Sequence, residues 1–292
     1  MTWIAVDWGT SNLRAWRMEG PSAVDHRTSN AGMGSLTRDG FEPALLDLIS
    51  DWIDGPTQIV ACGMVGSRQG WAEAAYSPVP CIPLSANLAQ PNCQDRNLTV
   101  RIIPGLSQTK PHFDVMRGEE TQVAGFLAMN PDWDGVLCLP GTHTKWVHVS
   151  AGEVVSFQTY MTGETYAAVS GHTVLKHSIG DGLDGAAFDT AVDEAMSRPE
   201  RNAQRMFGIR AEMLLAGLNA DVAAGRLSGL LIGAEIAGAR PYWLGQNVAI
   251  VGDQKLTALY ERALKAQGAF VSIGDATGAT LAGLWSAYQK EF

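Results

Sequence analysis

Cysteine is scarce in this 292-residue chain, and the four present, Cys62, Cys81, Cys93 and Cys138, lie far apart with no C-x-x-C pair and no histidine at metal-ligand spacing. That pattern excludes a disulfide framework and a structural zinc site, and leaves reduced core or loop thiols. Charge is also sparse: Asp, Glu, Lys and Arg make up 17% of residues and the formal net charge is −9. Without a basic excess there is no footprint for nucleic acid or for an anionic membrane surface. Long hydrophobic runs are missing too, since Gly, Glu or His interrupts each apolar stretch well short of the ~20 residues that span a bilayer. Met1-Thr2-Trp3 runs straight into the first apolar strand, with no basic segment followed by an apolar one. Nothing there reads as a secretory leader, and a cytoplasmic location is expected.

A hydrophobic content of 46% is that of an ordinary globular protein, and the length allows one large domain or two modest ones. The acidic balance carries a consequence for ligands. If they are anions, a few placed cations must overcome an unfavourable field, so Arg14, Arg68, Arg117 and Lys145, beside Gly-rich or acidic turns, are the cations to weigh.

The most informative segment is Ile4-Ala5-Val6-Asp7-Trp8-Gly9-Thr10-Ser11-Asn12-Leu13-Arg14, because it returns in altered form as Val136-Leu137-Cys138-Leu139-Pro140-Gly141-Thr142-His143-Thr144-Lys145-Trp146. In each copy an apolar strand enters a Gly-Thr turn and leaves as a second strand. Glycine lets turn amides approach an anion with no Cβ in the way, and the hydroxyls of Thr10, Ser11 and Thr142 add donors. Asp7 would repel phosphates unless a divalent cation lay between them, so it implies Mg²⁺ held partly through water. The plain alternative, a hairpin turn with no ligand, is weakened by the duplication.

Along the chain, strands are expected at Ala23 to Arg27, Thr57 to Cys62, Thr99 to Ile103, Val154 to Thr159, Asn247 to Val251 and Ala269 to Ile273. Helices are expected at Gly40 to Ile53, from Glu119, and over Thr165 to Leu175, Leu183 to Ser197, Asn202 to Leu218, Ser228 to Ala239, Lys255 to Gln267 and Ala276 to Tyr288. The Pro- and Asn-rich stretch Tyr76 to Pro104 reads as loop apart from its strand. Strands first and helices after, in both halves, suggest a duplicated α/β domain with a boundary near Pro131-Asp132.

Three further segments carry candidate chemistry. Gly63-Met64-Val65-Gly66-Ser67-Arg68-Gln69-Gly70-Trp71 follows a strand, where open α/β sheets place ligands, and the planar fork of Arg68 can grip a carboxylate through two hydrogen bonds. Glu119 and Glu120 open a helix, where acids also serve simply to complement the helix dipole. Val248-Ala249-Ile250-Val251-Gly252-Asp253 is an apolar strand ending in Gly ahead of a helix. For the glycines of Ser228 to Glu235 close helix packing suffices, for Trp8, Trp71 and Trp146 core or cleft-wall packing is the default, and for His143 a structural hydrogen bond is expected.

The duplicated hairpin resembles that of the actin, heat-shock chaperone and sugar-kinase superfamily, which implies two ribonuclease-H-like domains closing on ATP. Gly118-Glu119-Glu120-Thr121-Gln122-Val123-Ala124-Gly125 looks like the segment that carries the catalytic base in glycerol-kinase-like enzymes. Matching glycine to glycine puts the base on Glu119; the later glycine falls one residue short, so Glu120 stays open. Together with Gly32-Met33-Gly34-Ser35-Leu36, Met161-Thr162-Gly163-Glu164 and Leu227 to Glu235, these segments are similar to the 2-dehydro-3-deoxygalactonokinase family from the first strand to the last helix.

The resemblance implies an α/β fold of two ribonuclease-H-like domains with an inter-domain nucleotide cleft, 1–132 with the first hairpin and sugar-acid site, and 133–292 with the second hairpin and adenosine site. The last helix is a candidate to pack back on the first domain. It implies ATP-dependent phosphorylation of the C6 hydroxyl of 2-dehydro-3-deoxygalactonate in galactonate catabolism, with a small sugar acid and Mg-ATP as partners. The expected nucleotide contacts are Gly9, Thr10, Ser11, Gly141, Thr142, His143, Thr144, Lys145 and Gly252, and the expected metal and catalytic contact is Asp7. Acceptor contacts are expected from Asn12, Arg14, Gly34, Ser35, Arg68 and Gln69. Three alternatives stay open: a kinase for another sugar acid such as the gluconate-derived epimer, an exopolyphosphatase-like hydrolase, and a non-transferring ATP switch. Nothing in the sequence separates a monomer from a homodimer.

Overall fold

The computed structural model describes residues 2–84 and 87–292; Met1, Ser85 and Ala86, the last two within the stretch read as loop-rich, lie outside the described residues. In chain order the elements are β1 (Thr2–Trp8), β2 (Leu13–Glu19), β3 (Ser22–Ser29), α1 (Phe41–Ile49), β4 (Thr57–Gly63), β5 (Ser77–Pro78), β6 (Leu98–Ile102), β7 (Leu106–Gln108), β8 (Asp114–Met116) and α2 (Glu119–Met129). There follow β9 (Gly135–Leu139), β10 (Thr144–Ser150), β11 (Glu153–Tyr160), α3 (Thr162–His172), α4 (Gly185–Ser197), α5 (Asn202–Ala216), α6 (Ala220–Gly238), α7 (Arg240–Trp243), β12 (Asn247–Val251), α8 (Gln254–Ala266), β13 (Phe270–Gly274) and α9 (Ala276–Glu291).

Two five-stranded sheets share one plan. The first runs β3-β2-β1-β4-β6 and the second β11-β10-β9-β12-β13, so each strand of the first has a counterpart at the same place in the second. In the first, β1 to β3 pair antiparallel while β4 joins β1, and β6 joins β4, in parallel. In the second, β12 joins β9 in parallel. This is the duplicated ribonuclease-H-like α/β architecture that the sequence led one to expect. By mutual contacts the chain divides into one unit of Met1–Asp134, Val149–Phe157 and Gly274–Phe292, and another of Gly135–His148 and Gln158–Ile273.

β1 is apolar almost throughout because both its faces are covered. Ile4, Val6 and Trp8 pack with Phe41, Leu45 and Ile49 of α1, whereas Trp3 and Ala5 pack with Leu284 and Tyr288 of α9. The Trp3 and Tyr288 rings stack at 4.4 Å. α9 in turn lies against α2 so closely that a Cβ on Gly125 would fall 1.7 Å from the Ala279 carbonyl oxygen. The core of the second unit includes Val136, Trp146, Phe188, Ile232, Ile250 and Tyr260. Gly229 and Gly233 of α6 pack on α4, against the Phe188 and Val192 carbonyls.

Several elements end at other residues than their sequence pattern predicts, and one small sheet leaves no pattern at all. α6 starts at Ala220, not Ser228, because the Asn219 side chain caps it, accepting from the Asp221 amide at 2.8 Å. Its first turns are rich in Ala and Gly, which give little apolar periodicity. α3 starts at Thr162 and ends at His172, α1 ends at Ile49 in a short 3₁₀ turn, and α5 ends at Ala216, where Gly217 takes φ +69°. The strands of the small sheet β5-β7-β8 are two or three residues long, too short to carry an apolar period. Among the described residues no helix is long and apolar enough to cross a membrane.

Candidate active site

The first hairpin sits at the carboxyl end of β1, with Asp7 opposite Cys62 of β4 and Arg14 of β2. The Asp7 carboxylate forms an ion pair with the half-exposed Arg14 guanidinium. The turn closes by a Gly9 N–H to Asn12 carbonyl bond of 2.9 Å, leaving Thr10, Ser11 and Asn12 exposed. Gly34 and Ser35 support this turn from beneath. The Met33 and Gly34 amides donate to the Gly9 and Thr10 carbonyls at 3.0 and 2.9 Å, and the Ser35 hydroxyl donates to Gly32.

Beside the hairpin lies a cavity of 140 Å³, lined by Asp7, Gly9, Cys62, Gly63, Glu119 and Thr280 among others. Two glycines with positive φ form part of it. Gly63 has φ +91° and Gly118 φ +107°, and a Cβ on Gly118 would lie 3.2 Å from the Gly63 Cα. Glu119, the first residue of α2, accepts from the Arg117 amide at 3.0 Å. Glu120 has no exposed surface; it accepts from the Gly118 amide at 2.6 Å and from the Thr121 hydroxyl at 3.1 Å. Burial, helped by the charge of Glu119, pushes the Glu120 carboxyl up to about 7. Burial likewise drives the Cys62 thiol well up, so it stays protonated and is no nucleophile.

The cations are distributed differently from the sequence expectation. Arg68 and Gln69 are exposed and line none of this cavity, and the Arg68 carbonyl accepts from Arg38 at 2.8 Å. Arg117, which the sequence singled out without giving it a role, lines the cavity and is 9% exposed. Its guanidinium donates to the Ala74 carbonyl at 2.7 Å and stacks 4.3 Å from the Tyr76 ring centre. Its Nε and Nη1 are buried without a hydrogen-bond partner.

In the second unit the turn between β9 and β10 leaves Thr142 and His143 exposed and Gly141 half-buried. The start of α3 packs on it: the Glu164 amide donates to the Thr142 carbonyl at 2.8 Å, and His143 Nε2 meets the Glu164 carboxylate at 2.7 Å. Thr144 and Lys145, expected to face phosphate, are turned into the fold. Thr144 is 1% exposed and bonds to the Tyr260 phenol at 2.8 Å; Lys145 is 5% exposed and donates to Thr159 at 2.8 Å. Accessible polar groups therefore come from the turn itself.

A cavity of 470 Å³ opens beside Gly141 and Thr142. Leu231 and Ile232 of α6 and Leu256 and Leu259 of α8 give it apolar walls, while Thr162, Ser228 and Tyr260 add polar groups. Such a space, apolar with a few directed polar groups, suits a nucleobase and ribose. Gly252, at the end of β12, abuts the Pro140 carbonyl, where a Cβ would approach to 2.9 Å. Leu256, Leu259 and Tyr260 escaped the sequence reading because their helical spacing looks like any core-facing stripe. Thr162, Gly163 and Glu164 did carry a signal, as one of the segments behind the family resemblance. Trp8, Trp71 and Trp146 are all buried, at 0%, 8% and 0% exposure, and serve as packing.

The profile of a family described as 2-keto-3-deoxy-galactonokinase matches residues 7–287. The chain is similar to the probable 2-dehydro-3-deoxygalactonokinase DgoK1 of Rhizobium meliloti (strain 1021), with 39% identity over 97% of this chain and 95% of that protein. It is similar to the 2-dehydro-3-deoxygalactonokinase of Escherichia coli (strain K12), with 36% identity over 97% of this chain and 96% of that protein. A crystallised Sinorhizobium meliloti protein, given the same kinase name provisionally, superposes with a TM-score of 0.91 at 37% identity, covering 98% of this chain and 96% of its own.

Proposed function

Because the chain belongs to the 2-keto-3-deoxy-galactonokinase family, whose members are sugar-acid kinases, we propose that it transfers the γ-phosphoryl group of ATP to the C6 hydroxyl of 2-dehydro-3-deoxy-D-galactonate. The observation that carries the reading is the shared cavity of Asp7 and Glu119 at the head of the first Gly-Thr turn. Glu119 is the base. Its carboxylate takes the C6 hydroxyl proton as the hydroxyl oxygen bonds to the γ-phosphorus and the bridging P–O bond to ADP breaks. Most barrier reduction in such a transfer comes from positioning and charge neutralisation, so the surrounding donors matter more than the base.

The adenosine occupies the 470 Å³ cavity of the second unit, and its phosphates take hydrogen bonds from the Gly141-Thr142 turn. Thr10, Ser11 and the Gly9 turn bind the terminal phosphates, and Asn12, Arg14 and Arg68 are the candidate contacts for the acceptor. Asp7 is the metal contact. Among the described residues no group of three or more His, Cys, Asp or Glu is assembled to hold a metal by protein atoms alone. A lone carboxylate fits Mg²⁺, which keeps most of its waters and is completed by phosphate oxygens. When bound, that ion neutralises charge on the transferring group. The product enters galactonate catabolism in the cytoplasm.

The test is ADP formation with and without sugar acids. Turnover that requires 2-dehydro-3-deoxygalactonate supports the kinase. Equal ADP release without an acceptor would replace it with a hydrolase or an ATP switch, and preference for the gluconate-derived epimer would correct the substrate.

A further inference from the structure

Glu235 is a carboxylate that the proposed reaction leaves unused. It lies in α6, 2% exposed, and gathers donors from separate elements. One oxygen accepts from the indole N–H of Trp146 in β10 at 2.8 Å, the other from the phenol of Tyr260 in α8 at 2.7 Å. The Tyr260 oxygen is also 2.8 Å from the Thr144 hydroxyl. As the phenol proton goes to Glu235, Thr144 is the donor in that second bond. Thr162, at the start of α3, also favours the charged form of this carboxylate.

Burial raises the pKa of this acid, and the hydrogen bonds from Tyr260 and Trp146 are among the interactions that oppose that shift. An apolar residue of similar size would serve packing as well or better, because a buried carboxylate is costly to desolvate. What an apolar residue would not do is hold several donors in one geometry. Those donors border the nucleotide region: Thr162 and Tyr260 line the 470 Å³ cavity, while Thr144 and Trp146 begin the strand that leaves the Gly141-Thr142 turn.

We propose that Glu235 is a positioning residue for the nucleotide, tying the second phosphate turn and the cavity wall to one buried carboxylate. The inference rests on the reading that the nucleotide occupies this cavity. Glu235→Gln retains one acceptor oxygen but sets an NH₂ group against a partner that also donates.

The experiment measures ATP affinity by calorimetry without acceptor, steady-state KM for both substrates, and thermal melting. For Glu235→Gln the ATP Kd and KM should rise on the order of tenfold, with the sugar-acid KM changed less than about twofold. Tyr260→Phe, which removes one donor, should raise the ATP Kd about threefold. An unchanged ATP Kd in folded Glu235→Gln, or equal rises in both KM values, would overturn the proposal. If Glu235→Gln does not fold, an unchanged ATP Kd in Tyr260→Phe would overturn it. Leu231→Trp, which fills the cavity, separates the two claims. Normal ATP affinity in Leu231→Trp removes the nucleotide from this cavity, and the inference falls with that reading. Lost affinity there, with normal affinity in Glu235→Gln and Tyr260→Phe, removes only the positioning role.

Discussion

Glu119 and Glu120 are consecutive, yet their carboxylates occupy different surroundings: Glu119 lines the 140 Å³ cavity with Asp7, whereas Glu120 is sealed in the fold, 2.6 Å from the Gly118 amide. Adjacent side chains on a helix point about 100° apart, so only one can face a given cavity. Glu119→Gln should therefore lower kcat by at least about 100-fold while leaving the ATP Kd unchanged, and Glu120→Gln should change kcat less than about threefold. Steady-state kinetics with calorimetry would check both. The opposite ranking would move the base to Glu120.

Glu120 should also make stability depend on pH. Its carboxyl is raised from 4.5 to about 7 in the folded chain, so between those values the folded state holds a proton that the unfolded state has released. Its contribution is fully present below about pH 4.5 and is lost as pH rises to about 7, a decline on the order of 3 kcal/mol. Denaturant titrations at several pH values should show a shallower decline in Glu120→Gln than in the parent. Identical slopes would mean that Glu120 ionises normally.

Gly118→Ala should damage both fold and catalysis. At φ +107° an L-residue is strained, and the added Cβ would press on Gly63 at 3.2 Å, beside Asp7 and Glu119. A loss on the order of 1–3 kcal/mol in stability with a disproportionate fall in kcat is expected. Wild-type melting and kcat would show that the backbone adapts freely there.

Asp7→Asn should weaken activation by Mg²⁺. In the parent, a chelator should abolish turnover and added Mg²⁺ restore it. In the variant the Mg²⁺ concentration for half-maximal rate should rise on the order of tenfold or more. An unaltered Mg²⁺ requirement would show that Asp7 serves only its ion pair with Arg14.

Arg68→Lys tests the proposed carboxylate grip on an exposed residue. The sugar-acid KM should rise on the order of tenfold or more, with the ATP KM little changed. Equal effects on both would remove Arg68 from the acceptor site and turn attention to Arg117, whose Nε and Nη1 are buried without partners.

The sequence by itself determined the two strand-turn-strand hairpins and the duplicated α/β plan, because apolar runs and Gly-Thr turns act over neighbouring residues. Boundaries such as the start of α6 were hidden because Ala and Gly carry little periodic signal. Tertiary structure alone decided which groups remain available for chemistry. Lys145 and Thr144 follow a phosphate-type turn in sequence but are buried on Thr159 and Tyr260, Arg117 emerges at the cavity, and Gln122 meets Thr280 across the α2–α9 contact. Accessibility and side-chain direction depend on partners brought together from distant parts of the chain, and no local pattern encodes them.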